Sequence, residues 1–169
     1  DSEALEKGQD ADELFEGVNG ILVPGGFGDR GIEGKILAIS YAREKKIPFF
    51  GICLGMQLAV VEFARNVCAI KEATSREFFE NSNYAVIDTM DEQRDLENLG
   101  GTMRLGSYDC QIKDGTKTYD AYCENNIQER HRHRYQVSNQ FRSKLEEHGL
   151  MVSGINPSRD LVEMVEIVD

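Results

Sequence analysis

The sequence lacks an excess of positive charge and lacks a long apolar run. Its 30 Asp and Glu residues outnumber its 19 Lys and Arg residues, which gives a net charge of −11. Because a nucleic-acid surface needs a basic stripe, this composition argues against a nucleic-acid partner. No apolar stretch is long enough to span a bilayer, and the first residues do not resemble a signal peptide. We therefore expect no membrane partner and a cytoplasmic location.

Cysteine pairs and histidine clusters are also scarce. The four cysteines form no Cys-x-x-Cys pair and no zinc spacing; they are Cys53, Cys68, Cys110 and Cys123. We expect free thiols in a reducing compartment. Only three histidines occur, and the neighbouring pair His131 and His133 has no third ligand nearby in the sequence, so no metal site is expected.

The composition is that of a globular domain. The 169 residues are 40% hydrophobic and 29% charged, which is enough for one domain spanning 1–169. The chain opens with Asp and closes on a strand-like pattern, from which we expect a domain truncated at both ends. Residues 20–64 follow a strand-helix-strand-helix pattern, which is typical of parallel pairing. Further strands are predicted over 84–88, 102–113, 130–137, 150–154 and 161–168, with a helix over 139–148. The predicted fold is α/β, with a mostly parallel central sheet flanked by helices and with added antiparallel strands.

A cysteine lies at the corner between a predicted strand and a predicted helix. Cys53 sits in Gly51-Ile-Cys-Leu-Gly55, between the apolar run 47–50 and the helical pattern 56–64. Glycines two residues on either side permit a tight turn, as in a nucleophile elbow. The helix that follows favours a thiolate through its dipole, and the Leu54 amide can donate to an oxyanion. The alternative is a buried cysteine in a glycine-rich turn.

A second glycine loop, Gly25 to Gly31, follows the first predicted strand. Its Gly-x-Gly-x-x-Gly spacing matches a dinucleotide fingerprint, but the next strand ends in the cysteine corner instead of an acidic residue. Loops at the carboxyl ends of neighbouring parallel strands lie side by side. We therefore expect an amide of residues 25–28 to approach Cys53 as a second oxyanion donor.

Alternating arginines and histidines occupy 129–135. In a strand, His131 and His133 share one face, and Arg130, Arg132 and Arg134 share the other. Such a cluster in an acidic protein fits an anion site, with a salt-bridged face as the alternative. His148, near the end of a predicted helix, is interpreted as a surface residue.

Four motifs together resemble the class I glutamine amidotransferase (glutaminase) domain of the CTP synthase family, a flavodoxin-like fold. They are Pro24-Gly-Gly-Phe-Gly-x-Arg-Gly31, Gly51-Ile-Cys-Leu-Gly-Met-Gln57, Gly100-Gly-Thr-Met-Arg-Leu-Gly106 and Glu129-Arg-His-Arg-His-Arg-Tyr135. The resemblance runs over essentially the whole chain.

The resemblance implies roles for individual residues. Cys53 would attack the side-chain amide of L-glutamine, and the amides of Gly26 and Leu54 would hold the oxyanion. Glutamine binding would involve Gly26, Leu54, Gln57, Glu77 and Arg134, with Arg134 pairing with the α-carboxylate. The region 102–106 would be linked to the activator GTP.

The resemblance also implies a larger protein. Ammonia would pass to a synthetase domain that aminates UTP using ATP and Mg²⁺, in a homo-oligomer, a tetramer. The family's base lies in a His-Pro-Glu motif that these 169 residues do not contain, so we expect very weak glutaminase activity from this chain. The alternatives are another class I amidotransferase, a γ-glutamyl hydrolase, or a non-catalytic nucleotide-binding domain.

Overall fold

The computed structural model describes residues 1–89 and 103–168. Within these ranges the chain forms six helices and nine strands. The helices are α1 (Ser2–Glu6), α2 (Ala11–Leu14), α3 (Ile32–Glu44), α4 (Leu54–Asn66), α5 (Lys117–Tyr122) and α6 (Asn139–Glu147). The strands are β1 (Ile21–Val23), β2 (Phe49–Gly51), β3 (Thr74–Ser75), β4 (Ala85–Thr89), β5 (Arg104–Ile112), β6 (Asn126–His133), β7 (Tyr135–Val137), β8 (Leu150–Asn156) and β9 (Leu161–Ile167).

The predicted strand-helix-strand-helix unit is present as β1, α3, β2 and α4. β1 and β2 pair in parallel, with Val23 opposite Gly51. α3 buries Ile36, Ile39 and Ala42, which recur at helical spacing and pack into the core. Helix α4 is the most enclosed element of this unit, because most of its apolar residues are buried. The carboxyl ends of β1 and β2 therefore emerge side by side over the start of α4.

The remaining strands are largely antiparallel. β3 pairs in parallel with β4, and β4 pairs antiparallel with β7. A separate antiparallel sheet has the order β6-β5-β8-β9. In the two described ranges, parallel pairing is thus confined to β1–β2 and β3–β4, and the antiparallel part is larger than the sequence pattern suggested.

The predicted single strand over 130–137 is wrong in one respect. The chain bends at Arg134, which separates β6 from β7. β6 pairs with β5, whereas β7 pairs with β4 in a different sheet. The bend exists because one continuous stretch of chain contributes a strand to each of two sheets. The alternation of apolar residues does not show that the pairing partner changes along the stretch.

The helix termini follow the capping chemistry of the sequence. Asp10 caps α2 by accepting hydrogen bonds from the amides of Asp12 at 2.7 Å and Glu13 at 3.3 Å. The short helices α1 and α5 were not predicted, because five or six residues carry too little periodicity. α5 begins after Thr116, whose hydroxyl accepts from the Tyr119 amide at 3.0 Å.

Two further predictions concern the ends of elements. His148 lies just after α6, and its ring nitrogen Nδ1 is 2.8 Å from the Lys144 carbonyl oxygen, so it is a helix-end residue as interpreted from the sequence. The polar connection predicted over 88–98 lies mostly outside the described residues. Across the described part of the chain, every helix is too short or too polar to cross a lipid bilayer.

Candidate active site

The corner at Cys53 has the geometry of a nucleophile elbow. Cys53 adopts φ 54° and ψ −109°, a conformation that costs free energy for a residue with a Cβ. A Cβ on Gly51 would lie 2.6 Å from the carbonyl carbon of Gly55, and a Cβ on Gly55 would lie 2.0 Å from the Val23 oxygen. The two flanking glycines are therefore required by close backbone approach.

The first glycine loop lies against this corner, as predicted from the parallel pairing. The Ile52 amide donates to the Val23 carbonyl at 2.9 Å, which extends the β1–β2 pairing to the elbow. A Cβ on Gly25 would lie 3.7 Å from the Cys53 sulfur. The backbone amides of Gly26 and Leu54 both interact with that sulfur. Two backbone donors therefore converge where the sequence placed an oxyanion hole.

The electrostatic environment of the thiol differs from the sequence expectation. Burial raises the pKa of Cys53 above the ordinary cysteine value, and the negative charge of Glu77 raises it further. The amides of Leu54 and Gly26 lower the pKa, but by less than burial raises it. The amide at the start of the helix thus favours the thiolate, as predicted, but burial outweighs it and the pKa of Cys53 stays above the ordinary cysteine value.

A cavity of about 250 Å³ opens over the elbow. It gathers residues that the sequence analysis assigned to one site: Gly26, Cys53, Gln57, Glu77 and Arg134. Leu54, the sixth, is buried beneath the elbow and contributes through its amide. Residues far apart in the chain therefore meet at one concave surface.

Specific hydrogen bonds hold Gln57 and Glu77 in place. The side-chain amide of Gln57 donates to the Tyr135 carbonyl at 2.9 Å, which connects α4 to β7. A carboxylate oxygen of Glu77 accepts from the Gly28 amide at 3.1 Å, which connects the segment after β3 to the first glycine loop. Both side chains therefore line the cavity in orientations set by backbone groups of other segments.

The contact between Glu77 and Gly28 also bears on the nucleotide interpretation of the glycine loop. The Gly28 amide, which a phosphate would need, already donates to a carboxylate. A carboxylate at that position would repel a phosphate. The dinucleotide fingerprint is therefore not supported by the geometry.

The arginine and histidine cluster is divided as the strand alternation predicted. Arg130, Arg132 and Arg134 are exposed, whereas His131 and His133 are less exposed and the His131 side chain is only 8% exposed. Arg132 and Arg134 line the cavity, and the guanidinium of Arg132 lies 5.8 Å from the ring centroid of Phe27. An anion site at this position is consistent with both arginines.

Sequence reasoning missed several residues of the cavity wall. These are Phe27, Met103, His133 and Tyr135. His133 was set apart from the arginines because strand alternation places it on the other face. β6 ends at this residue, so the alternation no longer separates its side chain from the cavity. No sequence signal marks this end, because the predicted strand continues to residue 137.

The motif predicted over 100–106 is described only from Met103 onward, since 100–102 lie outside the described residues. Arg104 is 3% exposed and forms a bidentate ion pair with Glu163, with N–O distances of 2.8 and 2.7 Å. Its guanidinium is therefore committed to the protein interior. Within the described ranges no group of three or more metal-ligating side chains occurs.

Comparison with known proteins places this geometry in a family. The sequence model of class-I glutamine amidotransferases matches residues 2–169. The chain therefore belongs to the class-I glutamine amidotransferase family. A Thermotoga maritima glutamine amidotransferase shares the fold, with a TM-score of 0.54 at 13% identity over 92% of this chain and 54% of that chain.

Within that family the chain is similar to the CTP synthases. It is 58% identical over 94% of its length to the CTP synthase of Caldanaerobacter subterraneus subsp. tengcongensis, of which it covers 29%. It is 54% identical over 100% of its length to that of Carboxydothermus hydrogenoformans, of which it covers 31%. The glutaminase domain of Trypanosoma brucei CTPS with bound acivicin superposes with a TM-score of 0.90 at 42% identity, over 99% of this chain and 66% of that chain.

These similarities confirm the resemblance inferred from the four sequence motifs and the predicted α/β fold class. The chain spans about 30% of the length of the curated relatives that it matches, as shown by the 29% and 31% coverage of the two named above.

Proposed function

We propose that this chain is the glutaminase unit of a CTP synthase. The observation that carries the proposal is the cavity in which Cys53, two convergent backbone amides, Gln57, Glu77 and Arg134 meet. Arg134 offers the bidentate fork that suits the α-carboxylate of an amino acid. The amide end of a bound glutamine would then point toward the elbow.

The chemistry follows from that orientation. The Cys53 sulfur forms a bond to the side-chain carbonyl carbon of L-glutamine, and the amides of Gly26 and Leu54 stabilise the negative oxygen of the tetrahedral intermediate. The C–N bond then breaks and releases ammonia, which leaves a thioester. Water hydrolyses the thioester to glutamate and returns the thiol.

The proton of Cys53 must go to a base before the attack, because the free group rests as a thiol. Burial lowers the pKa values of His131 and His133 to about 4, so both are too weak to serve as that base. No His-Pro-Glu tripeptide occurs in the 169 residues. We therefore assign neither of these two histidines as that base.

The activity of the whole protein belongs to the same proposal. Ammonia released at Cys53 would be used by a synthetase domain to aminate UTP, with ATP and Mg²⁺ bound there and GTP acting as activator. A homo-oligomeric, tetrameric assembly in the reducing cytoplasm is part of the proposal. The high similarity to CTP synthases supports it, and the other class I amidotransferases and γ-glutamyl hydrolases are the alternative.

Covalent labelling tests the proposal without requiring turnover. A chloroketone analogue of L-glutamine should alkylate Cys53, and L-glutamine should protect against this reaction. Peptide mass mapping identifies the modified residue. Labelling of Cys53 that L-glutamine does not slow, in a protein with native circular dichroism, would contradict the proposal.

The chain contains an internal control for this experiment. Cys123 is exposed and lies outside the cavity. A simple thiol reagent such as iodoacetamide should modify it at a rate that L-glutamine does not change. Replacing Cys53 by Ser should abolish the glutamine-sensitive labelling and leave the modification of Cys123 unchanged.

A further inference from the structure

A buried ion pair next to the cavity organises two histidines. The side chains of Arg104 and Glu163 are only 2% and 5% exposed, and they join β5 to β9. The same guanidinium reaches His131 on β6, with Arg104 Nη2 lying 2.6 Å from His131 Nδ1. His131 Nδ1 in turn lies 2.9 Å from His133 Nδ1. The four side chains therefore form one chain of contacts that ends at the cavity wall.

The direction of each hydrogen bond in this chain follows from the chemistry of the groups. A guanidinium only donates, so His131 Nδ1 accepts from Arg104. The proton of neutral His131 is then on Nε2, which lies 3.5 Å from a carboxylate oxygen of Glu163. His131 Nδ1 has one lone pair, which Arg104 and His133 share, and a proton on His133 Nδ1 avoids two lone pairs facing each other at 2.9 Å. The remaining nitrogen, His133 Nε2, carries a lone pair.

The surroundings keep His133 neutral. Burial lowers its pKa to about 4, and the positive charge of Arg104 adds to that effect. Near neutral pH the ring is thus an acceptor at Nε2 and carries no charge. Among the described residues, the buried side-chain atoms without a hydrogen-bond partner are Arg104 Nε, His131 Nε2 and both amide atoms of Gln136, and His133 Nε2 is not in that group. His133 also lines the cavity, so we infer that this lone pair can be reached from it.

The proposed substrate needs an acceptor at this place. In L-glutamine the α-carboxylate and the α-ammonium are attached to the same carbon atom. If Arg134 binds the carboxylate, the ammonium lies within a few bond lengths of it. His133 is one residue away from Arg134 and lines the same cavity.

We propose that His133 Nε2 accepts a hydrogen bond from the α-ammonium group of L-glutamine, and that Arg104, Glu163 and His131 fix the tautomer that makes this possible. The inference rests on the proposed function, since it assigns a further contact of the same substrate site.

The test compares L-glutamine with glutaramate, which is glutamine without its α-amino group. Dissociation constants are measured from the protection of Cys53 against the chloroketone analogue. In the unchanged chain L-glutamine should bind more tightly than glutaramate. In the His133→Phe variant, which keeps a planar ring but has no acceptor, L-glutamine should bind at least about tenfold more weakly, equivalent to about 1.4 kcal/mol. Glutaramate should bind as before.

Two further variants separate a substrate contact from a structural effect. His133→Gln restores an acceptor at similar reach and should recover part of the preference for L-glutamine. Phe27→Leu changes the same cavity wall without removing an acceptor and should leave the ratio of the two constants unchanged. Circular dichroism checks that each variant is folded.

The outcomes distinguish the two proposals. If neither ligand protects Cys53 in the unchanged chain, the proposed function fails. If L-glutamine protects but His133→Phe weakens both ligands equally, or weakens neither, the ammonium contact is overturned and Glu77 is the remaining acceptor.

Discussion

Cys53 is unfavourable in two respects. Its backbone conformation costs folding free energy, and the raised pKa of its side chain disfavours the thiolate that a nucleophile needs. Its positive φ costs about 1–3 kcal/mol of folding free energy, and its burial favours the neutral thiol. Gly51 and Gly55 permit the close backbone approaches on either side of this conformation. The thiol then faces two amides that are better partners for a developing anion than for a neutral sulfur.

Arg134 provides the sharpest test among the individual residues. Replacement by Ala should weaken L-glutamine binding by about tenfold or more, because a hydrogen-bonded charge pair contributes about 1.5–3 kcal/mol. Protection of Cys53 against alkylation measures the change. Arg130→Ala is the matched control, since Arg130 is an exposed arginine on β6, four residues before Arg134, and lies outside the cavity. Equal effects of the two substitutions would refute the assignment of Arg134.

The buried histidines predict a dependence of stability on pH. In the folded protein the pKa values of His131 and His133 are lowered to about 4, whereas an unfolded histidine titrates near about 6.5. The unfolded state therefore binds more protons between these values. Stability should fall as the pH drops from about 6.5 to about 4, and this effect should be absent above pH ~7.

Urea unfolding at several pH values measures this slope. The double variant His131→Asn/His133→Asn has neither titrating ring, so its stability should depend less on pH over the same interval, whatever its absolute stability. A slope as steep as that of the unchanged chain would show that other groups cause the pH dependence.

Secondary structure elements were predictable where a continuous sequence pattern corresponds to a single helix or to a strand in a single sheet. The β1-α3-β2-α4 unit follows from apolar runs, helical spacing and the two glycine corners. The break between β6 and β7 was not predictable, because it depends on which strands lie alongside, namely β5 and β4. Because this break was not predicted, strand alternation placed His133 on the face away from the arginines and outside the cavity. Arg134 was identified by family resemblance, which does not depend on the strand boundaries.

The contact between the start of α4 and the end of β1 predicts a steep cost at Gly55. In Gly55→Ala the added Cβ would lie 2.0 Å from the Val23 carbonyl oxygen and 2.8 Å from the Val23 carbonyl carbon. Both of these are backbone atoms, which cannot move aside as a flexible side chain can. We expect a loss of stability of about 3 kcal/mol or more, the upper end of overpacking. Gly20→Ala is the control, since its Cβ would meet the Pro48 oxygen at an ordinary 3.5 Å. Similar denaturation midpoints for the two variants would contradict this account of the elbow.

The site as a whole is a meeting point of the three sheets. β1 and β2 present the glycine loop and Cys53, the segment after β3 presents Glu77, and the junction of β6 and β7 presents Arg134. The parallel order of β1 and β2 could be predicted from the sequence, so the approach of Gly26 to Cys53 could be predicted too. The placement of Arg134 depends on contacts between separate sheets, which local sequence patterns do not encode.

One face of the β1–β2 pair is apolar and open in the described structure. Leu22 and Phe50 lie opposite each other in the register and are 56% and 62% exposed. Parallel strands usually have both faces covered, and a contiguous open apolar surface binds hydrophobic probes. The chain should therefore increase the fluorescence of the dye anilinonaphthalene sulfonate in its folded state.

Replacing Leu22 and Phe50 together by Thr should lower this fluorescence, because the substitution removes these two exposed apolar side chains and keeps residues that suit a strand. Phe79→Thr is the control: Phe79 is also 62% exposed but lies in the segment after β3 and not on β1 or β2. It should change the signal much less. The unfolding midpoint should stay nearly constant in the double variant, since exposed side chains contribute little burial. If Phe79→Thr lowers the dye fluorescence and the double variant at Leu22 and Phe50 does not, the dye binds elsewhere and the prediction for the β1–β2 face is wrong.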